Sequence, residues 1–235
     1  MAEPKYRILS GSALKCLAMI SMLVDHTALN LLSRSSITVF RYGNHVLTLY
    51  KLMRNFGRLA FPLFAFLLTE GFLHTRSKRR YGISLLLFAI LSEIPWNLEH
   101  TGTVLYAKQN VFFTLYLGYA GLCALDYFRN NTKKQILSVA ALYLVALFLR
   151  ADYGLTGFGF IILLYALREQ PVVQALLGCC FLYSTWIGGL AFIPINMYNG
   201  KRGFIRSPIL KYAFYAVYPV HLLILAYLRA KYVGF

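Results

Sequence analysis

The sequence predicts an all-α, polytopic helical membrane protein with about eight transmembrane spans. Of its 235 residues, 59% are hydrophobic, and the mean hydropathy is +0.58. Only 14% are charged, roughly half the share usual in soluble domains. A water-soluble fold of this length could not bury so much apolar surface. We therefore expect residues 1–235 to form a single integral membrane domain, without a separate soluble domain.

Eight apolar runs approach the length of about 20 residues that a spanning helix needs. They lie at 13–32, 58–74, 81–98, 110–128, 135–149, 153–168, 172–190 and 209–229. The first run follows basic residues, as a signal peptide does. It contains Lys15, Asp25 and His26 and lacks a convincing small-residue cleavage site, so we expect it to be retained. The fifth and sixth runs are short and closely joined, and could form one broken hairpin.

An amphipathic segment precedes the second span. Helical spacing over residues 45–56 places Lys51, Arg54 and the following Arg58 on one face. The simpler interpretation is an interfacial helix lying on lipid headgroups. The alternative is a re-entrant helix that caps a polar cavity.

The chain carries 24 Lys and Arg residues against 8 Asp and Glu, and their positions predict its orientation. With the N-terminus inside, the inner segments hold 12 basic residues, including Lys5 and the cluster at 76–80, and the outer loops hold 9. We therefore expect both termini to be cytosolic. The loop Lys and Arg residues are expected to contact anionic membrane lipids. Because they are scattered through short loops, they argue against a nucleic-acid-binding domain.

Ionisable side chains form a layer inside the predicted spans. Such groups cost about 2.5–3.5 kcal/mol each on insertion scales, and they usually line cavities or pathways. Asp25 and His26 in the first span, Glu93 in the third and His221 in the last lie at similar depth, with Arg58 about one turn further out. We expect these residues to share a polar site. A proton-coupled or small-solute transporter that uses Asp25, His26 and Glu93 is one function consistent with this layer.

The spacing of Lys15 and His26 suggests a second function. They are 11 residues apart and face the same way on a helix, with a rise of about 16.5 Å between them. A cation at the cytosolic end with an imidazole above it suits an extended acyl carrier, and His is the usual general base at neutral pH. Asp25 points about 100° away from His26, whereas Asn30 shares its face. The simpler alternatives are a Lys15–Glu70 ion pair and a packing role for His26.

Longer motifs surround these residues. They are Leu14-Lys15-x-Leu17-Ala18, Gly57-Arg58-Leu59-Ala60-Phe61-Pro62, Glu70-Gly71-Phe72, Ser92-Glu93-Ile94-Pro95, Gln109-Asn110-Val111, Tyr198-Asn199-Gly200-Lys201-Arg202-Gly203 and Tyr218-Pro219-x-His221. In this order, over nearly the whole chain, they resemble the TraX family of bacterial membrane proteins, named for the acetylation of conjugative pilin.

The TraX family is similar in turn to the larger acyltransferase-three group. That group has an Arg, ten residues and a His in its first span, and an Arg-x-x-Arg element after an early span. Lys15 and His26 reproduce the first spacing with Lys in place of Arg, and Arg76-Ser77-Lys78-Arg79 reproduces the second element.

The resemblance implies acetyl transfer from cytosolic acetyl-CoA to an amine or hydroxyl acceptor at or across the bacterial cytoplasmic membrane. The acceptor would be a peptide, a glycan or a lipid headgroup, and the family precedent is the pilin N-terminus. No metal is expected. A non-catalytic membrane scaffold that recruits an acidic partner through its basic loops remains a further alternative.

The resemblance also implies roles for individual residues. Lys15, Arg76, Arg79 and Arg80 would bind the CoA phosphates. His26 would act as the general base, with Asp25 and Glu93 as further catalytic candidates. The candidates for oxyanion or acceptor contacts are Arg58, Asn110, Tyr198, Asn199 and His221.

Overall fold

The chain is built almost entirely from helices. A computed structural model describes residues 6–43 and 45–234. The elements are α1 (Gly11–Leu31), β1 (Thr38–Tyr42), β2 (His45–Thr48), α2 (Leu49–Gly57), α3 (Ala60–His74), α4 (Lys78–Leu91), α5 (Glu93–Thr101), α6 (Val111–Tyr127), α7 (Thr132–Leu149), α8 (Gly154–Ala166), α9 (Pro171–Phe181), a 3₁₀ helix (Tyr183–Ala191), α10 (Phe192–Asn196) and α11 (Pro208–Tyr232).

The prediction of a helical membrane protein is confirmed. Within the described residues, five helical segments are long and apolar enough to cross a membrane: Gly11–Leu31, Leu49–His74, Lys78–Thr101, Thr132–Leu149 and Pro208–Tyr232. Shorter apolar helices occupy Val111–Tyr127, Gly154–Ala166, Pro171–Phe181 and Trp186–Asn196. The fifth and sixth predicted spans are separate helices, α7 and α8, joined by a tight turn in which Arg150 and Tyr153 have positive φ.

Helix α1 packs against α2, α3 and α11, and its two ends define the two ends of the bundle. At its start, the Ser10 hydroxyl accepts a hydrogen bond from the Ala13 amide, which caps the helix. There the Gly11 amide donates to the Lys201 carbonyl over 2.8 Å. At the other end of α1, Asp25 pairs with Arg54. We call the end that holds Ser10 the near end of the bundle and the opposite end the far end.

Helix α11 runs parallel to α1. At the near end, the Lys15 ammonium lies 6.0 Å from the centre of the Phe214 ring. At the far end, a guanidinium nitrogen of Arg34 donates to the Val233 carbonyl over 2.8 Å. The chain therefore enters the bundle at one end and leaves it at the other. The sequence predicted both termini on the cytosolic side, whereas the parallel course of α1 and α11 favours opposite sides.

The chain reverses direction within residues 171–198, and this reversal changes the number of times that it crosses the bundle. Helix α9 begins at the near end, where the Gln174 side chain donates to the Leu164 carbonyl. The chain then turns back through the 3₁₀ helix and α10, and the Leu9 amide donates to the Met197 carbonyl at the near end again. The predicted span at 172–190 is therefore not one crossing. It consists of two antiparallel segments, α9 and the 3₁₀ helix with α10, which we call the two limbs. Both limbs are apolar, so hydropathy alone does not reveal the turn between them.

A β-hairpin and a short amphipathic helix cover the far end between α1 and α3. The hairpin pairs β1 with β2 in antiparallel register, with Arg41 opposite Val46, and the sequence did not predict it. Helix α2 starts where the Thr48 hydroxyl accepts from the Lys51 amide. The helix predicted at 45–56 is therefore confirmed from Leu49 onward, while its first four residues form β2.

The packed core lies between α1, α3, α4, α6, α8 and α11. Leu14, Leu63, Leu85, Leu122 and Phe160 are among its fully buried side chains. This core holds the helices that line the cavity described below in fixed positions.

Candidate active site

A cavity of about 980 Å³ extends through the bundle between the near and far ends. Among the polar residues that line its near end are Lys15, Glu70, Arg76, Arg80, Tyr198, Arg202 and Lys211. Among those at its far end are Asp25, His26, Arg54, Arg58, His100 and Asp152. Between the two groups the wall is largely apolar, with Met19, Leu68 and Phe112 among its residues.

The near end of the cavity is strongly cationic. Of the predicted phosphate-binding residues, Lys15, Arg76 and Arg80 line it, whereas Arg79 is exposed and does not. Among the residues that the structure describes, none of these three lining cations forms an ion pair with a carboxylate. The predicted Lys15–Glu70 pair is thus not formed, and the cations remain available to an anionic ligand.

Glu70 is the acidic residue that lines this end. Its carboxylate pairs with His74 over 3.7 Å and faces the Tyr198 hydroxyl. Burial, followed by the charge of Glu70, raises the pKa of Tyr198 to about 12. Tyr198 therefore stays protonated and can donate a hydrogen bond to Glu70.

Tyr198 and Asn199, which the resemblance made candidates for oxyanion or acceptor contacts, lie in a loop at the near end. The Asn199 amide donates to the Leu9 carbonyl, which ties the loop to the start of α1. This loop lies at the near end because the chain reverses direction within residues 171–198. Tyr198 lines the cavity beside the near-end cations, whereas Asn199 does not line it and its side chain bonds to the Ile8 carbonyl and the Lys201 amide.

The imidazole of His26 is backed by a buried carboxylate that the sequence reasoning missed. Nδ1 of His26 lies 3.5 Å from Oε1 of Glu99, and the Glu99 side chain is 1% exposed. Because Nδ1 faces Glu99, Nε2 is the ring nitrogen left for a substrate. A carboxylate in this position fixes the tautomer and the orientation of a catalytic imidazole.

Glu99 is itself held by several neighbours. The Asn30 side chain donates both to Oε1 of Glu99 and to the His26 carbonyl. Nδ1 of His100 contacts the second carboxylate oxygen, and Arg229 donates to the Glu99 backbone carbonyl over 3.0 Å. The predicted third span ended at residue 98, which left Glu99 just outside it. The available signal was Asn30, which shares a helix face with His26 and, once buried, needs a hydrogen-bond partner.

Asp25 contacts Arg54 rather than His26. Its Oδ2 lies 2.6 Å from a guanidinium nitrogen of Arg54. Gly57 makes this approach possible, since a Cβ atom there would overlap the Asp25 carboxylate. Arg58 also lines the cavity, and within the described part of the chain it has no carboxylate in ion-pair contact. The far end therefore offers one paired and one unpaired guanidinium.

Glu93 and Asn110 lie together but away from the cavity lining. The Asn110 amide nitrogen donates to Oε2 of Glu93 over 2.7 Å and to the Ala89 carbonyl over 2.8 Å. Its side-chain oxygen accepts from the Phe112 amide and so caps α6. Both side-chain polar atoms of Asn110 are used, so this pair fixes the break between α4 and α5 to the start of α6.

His221 meets His26 inside the bundle, as the predicted depths indicated. The two ring centres are 5.0 Å apart in an edge-to-face arrangement. Nδ1 of His221 donates to the Val217 carbonyl over 2.8 Å. Its buried Nε2 has no hydrogen-bond partner among the described residues. His221 is not among the residues that line the cavity, so it contacts His26 from within the bundle.

Asp152 lines the far end, in the turn between α7 and α8. Its backbone carbonyl accepts from the Thr114 hydroxyl, which fastens this turn to α6. Burial raises the pKa of the Asp152 carboxyl above its usual range. The far end therefore holds an acid whose ionisation depends strongly on what binds beside it.

Two comparisons with known proteins cover most of the chain. A family model described as TraX protein matches residues 10–229. A curated protein from Dichelobacter nodosus, named "Probable fimbrial assembly protein FimC, serogroup H1", is 29% identical over 245 residues. The alignment covers 92% of this chain and 94% of that relative. No solved structure matches the chain.

Proposed function

The chain belongs to the TraX family, and we propose that it is a membrane acyltransferase. It moves an acetyl group from cytosolic acetyl-CoA to an amine or hydroxyl acceptor at or across the membrane. One observation carries this proposal: a single cavity connects the near-end cations to the imidazole of His26.

The residues present fit acetyl-CoA as the acetyl donor. Lys15, Arg76 and Arg80 would hold the phosphates, because charge-assisted hydrogen bonds from Arg and Lys suit phosphate oxygens. The apolar wall between the two ends would hold the pantetheine arm, with the thioester beside His26. The rise of about 16.5 Å from Lys15 to His26 along α1 separates the two groups in this way. Acetyl-CoA supplies an activated acyl carbon when bound.

The chain's own residues would then move one proton. Nε2 of His26 takes the proton from the acceptor nitrogen or oxygen as the new bond to the acyl carbon forms. The bond from that carbon to sulfur breaks, and His26 passes the proton to the thiolate. Glu99 holds the opposite ring nitrogen and stabilises the charged imidazole. Arg58 is the far-end donor best placed to stabilise negative charge on the acyl oxygen.

The near end would face the cytosol, because it carries the denser positive charge. Among the described loop residues, the near end holds 12 Lys and Arg and the far end 8; Lys5 lies outside the described residues. This differs from the 12 against 9 predicted from sequence because the loop at 201–206 moves to the near end and residues 229–231 move to the far end. Inner loops are the ones enriched in Lys and Arg, so this bias supports a cytosolic near end for a protein of the bacterial cytoplasmic membrane.

The acceptor would enter from the far end and reach His26 there. The relative's name, a probable fimbrial assembly protein, favours a pilus-related protein over a glycan or lipid headgroup. A peptide amine would reach His26 past Arg58 and Asp152. The transporter alternative is less well supported, because Glu93 does not line the cavity that holds Asp25 and His26.

The proposal is tested by an untargeted comparison of acetylated membrane and surface material. Cells with the intact protein, without it and with His26→Ala are compared by mass spectrometry. We expect a species that is acetylated only with the intact protein. Identical acetylation in all three, with the protein folded and present, would contradict the function.

A further inference from the structure

Two cations at the near end belong to neither of the sequence motifs predicted to bind phosphate. Arg202 and Lys211 line the cavity together with Lys15. Sequence topology placed residues 201–206 on the opposite side of the membrane, and the reversal in residues 171–198 brings them back to α1. Their position is therefore a finding of the structure alone.

Arg202 is fixed at the rim of the cavity by its backbone. Its carbonyl accepts from the Ser12 amide over 2.9 Å and from the Ser12 hydroxyl over 2.8 Å. Its Nε donates to the Ile205 carbonyl over 3.1 Å, which leaves its two terminal nitrogens. In the described ranges no carboxylate pairs with Arg202. Arg206, on the same loop, is exposed and does not line the cavity.

Lys211 is held over aromatic rings at the start of α11. Its Nζ lies 5.7 Å from the centre of the Tyr81 ring, 5.2 Å from that of Tyr212 and 5.6 Å from that of Tyr215. Rings in this arrangement stabilise an ammonium without neutralising it. Lys211 thus adds a full positive charge to the same end as Arg202.

We propose that Arg202 and Lys211 bind the 3′-phosphate of the CoA moiety, while Lys15, which lies further along α1 than the Ser12 contact of Arg202, binds its diphosphate. This inference rests on the proposed function. A phosphomonoester carries about −1.5 to −2 charges at neutral pH, so more than one cation suits it. In CoA the diphosphate joins the pantetheine arm, and the 3′-phosphate lies on the ribose beyond it. The diphosphate therefore lies nearer His26, at Lys15, and the 3′-phosphate lies at the near end of the cavity, at Arg202.

The test compares two donors, acetyl-CoA and acetyl-3′-dephospho-CoA, on the detergent-purified full chain. Binding is measured by calorimetry and acetyl transfer by product analysis. The variants are Arg202→Ala and Lys211→Ala, with Arg202→Lys and Lys211→Arg to retain the charge. Matched controls are Arg206→Ala on the same loop and Lys133→Ala, an exposed lysine on α7 at the same end.

The wild type should bind acetyl-CoA about tenfold more tightly than the dephospho donor, as expected for one lost charge-assisted contact. Each alanine variant should weaken acetyl-CoA binding by about tenfold and leave the dephospho donor unchanged, whereas the charge-retaining variants and the controls stay close to wild type. Equal binding of the two donors to the wild type, or equal weakening of both in the variants, would overturn the inference. If the wild type binds and transfers from both donors equally, only this inference fails; if it binds neither, the proposed function fails with it.

Discussion

At the residue scale, the proposed chemistry depends first on His26. His26→Ala should bind acetyl-CoA nearly normally, because the near-end cations are untouched. It should lose acetyl transfer by more than the roughly 10²–10⁴-fold that a general base contributes. His221→Ala should have a smaller effect, mainly on the acceptor. Parallel calorimetry and transfer assays check both variants, and full transfer by His26→Ala would move the base to another residue.

Glu99 is the second residue on which the chemistry depends. Glu99→Gln removes the charge behind Nδ1 of His26, and we expect transfer to fall by roughly 10²-fold, the lower end of a general base's contribution. Glu99→Asp should recover part of that loss. Glu169→Gln is a matched control, since its side chain is 82% exposed and pairs with Arg168. Transfer unchanged in folded Glu99→Gln would leave Glu99 with a purely structural role.

The sequence predicted some of these residues and missed others for physical reasons. Lys15 and His26 lie on one face of one helix, so their spacing alone placed them in the same cavity. Glu99 comes from a different helix, and its contact with His26 depends on tertiary packing. Glu93 and Asn110 are polar at the right depth, but they satisfy each other. Depth in the membrane therefore did not determine which polar groups converge.

At the element scale, the fold depends on the close packing of the two limbs in residues 171–198. Gly178 lies against the Phe192 ring, which a Cβ atom would overlap. Gly178→Val should destabilise the protein by about 1–3 kcal/mol, because overpacking forces the ring or the backbone to shift. Thermal unfolding in detergent measures this. Cys180→Val, at an exposed position on the same helix, should change stability by less than about 0.5 kcal/mol; equal effects would mean that the limbs do not pack this way.

Most element positions could be read from hydropathy, whereas the connection of the limbs could not. The first predicted span, 13–32, corresponds to α1, which covers Gly11–Leu31. The last predicted span, 209–229, corresponds to α11, which covers Pro208–Tyr232. Residues 172–190 form one continuous apolar run. The chain reverses direction within this run, but no charged residue in the sequence marks the turn. The hairpin at Thr38–Tyr42 and His45–Thr48 was missed because β1 is exposed along its whole length and so has no alternating burial pattern.

At the scale of the whole molecule, the parallel run of α1 and α11 predicts termini on opposite sides of the membrane. Single cysteines at Lys133, Lys201, Val104 and Tyr232 test this in a background without the native cysteines. A reagent that cannot cross the membrane should reach positions 104 and 232 from outside and miss 133 and 201. Labelling of 201 with protection of 232 would restore the topology predicted from sequence.

The most direct test of acetyl transfer through the cavity supplies isotope-labelled acetyl-CoA to membrane vesicles of known orientation. Inverted vesicles present the near end to the added donor, and right-side-out vesicles hide it. We expect labelled acetyl groups to appear on membrane or surface material only in inverted vesicles, and His26→Ala to abolish the incorporation. Equal incorporation in both orientations, or incorporation unaffected by His26→Ala in the folded protein, would contradict transfer from a near-end donor site to His26.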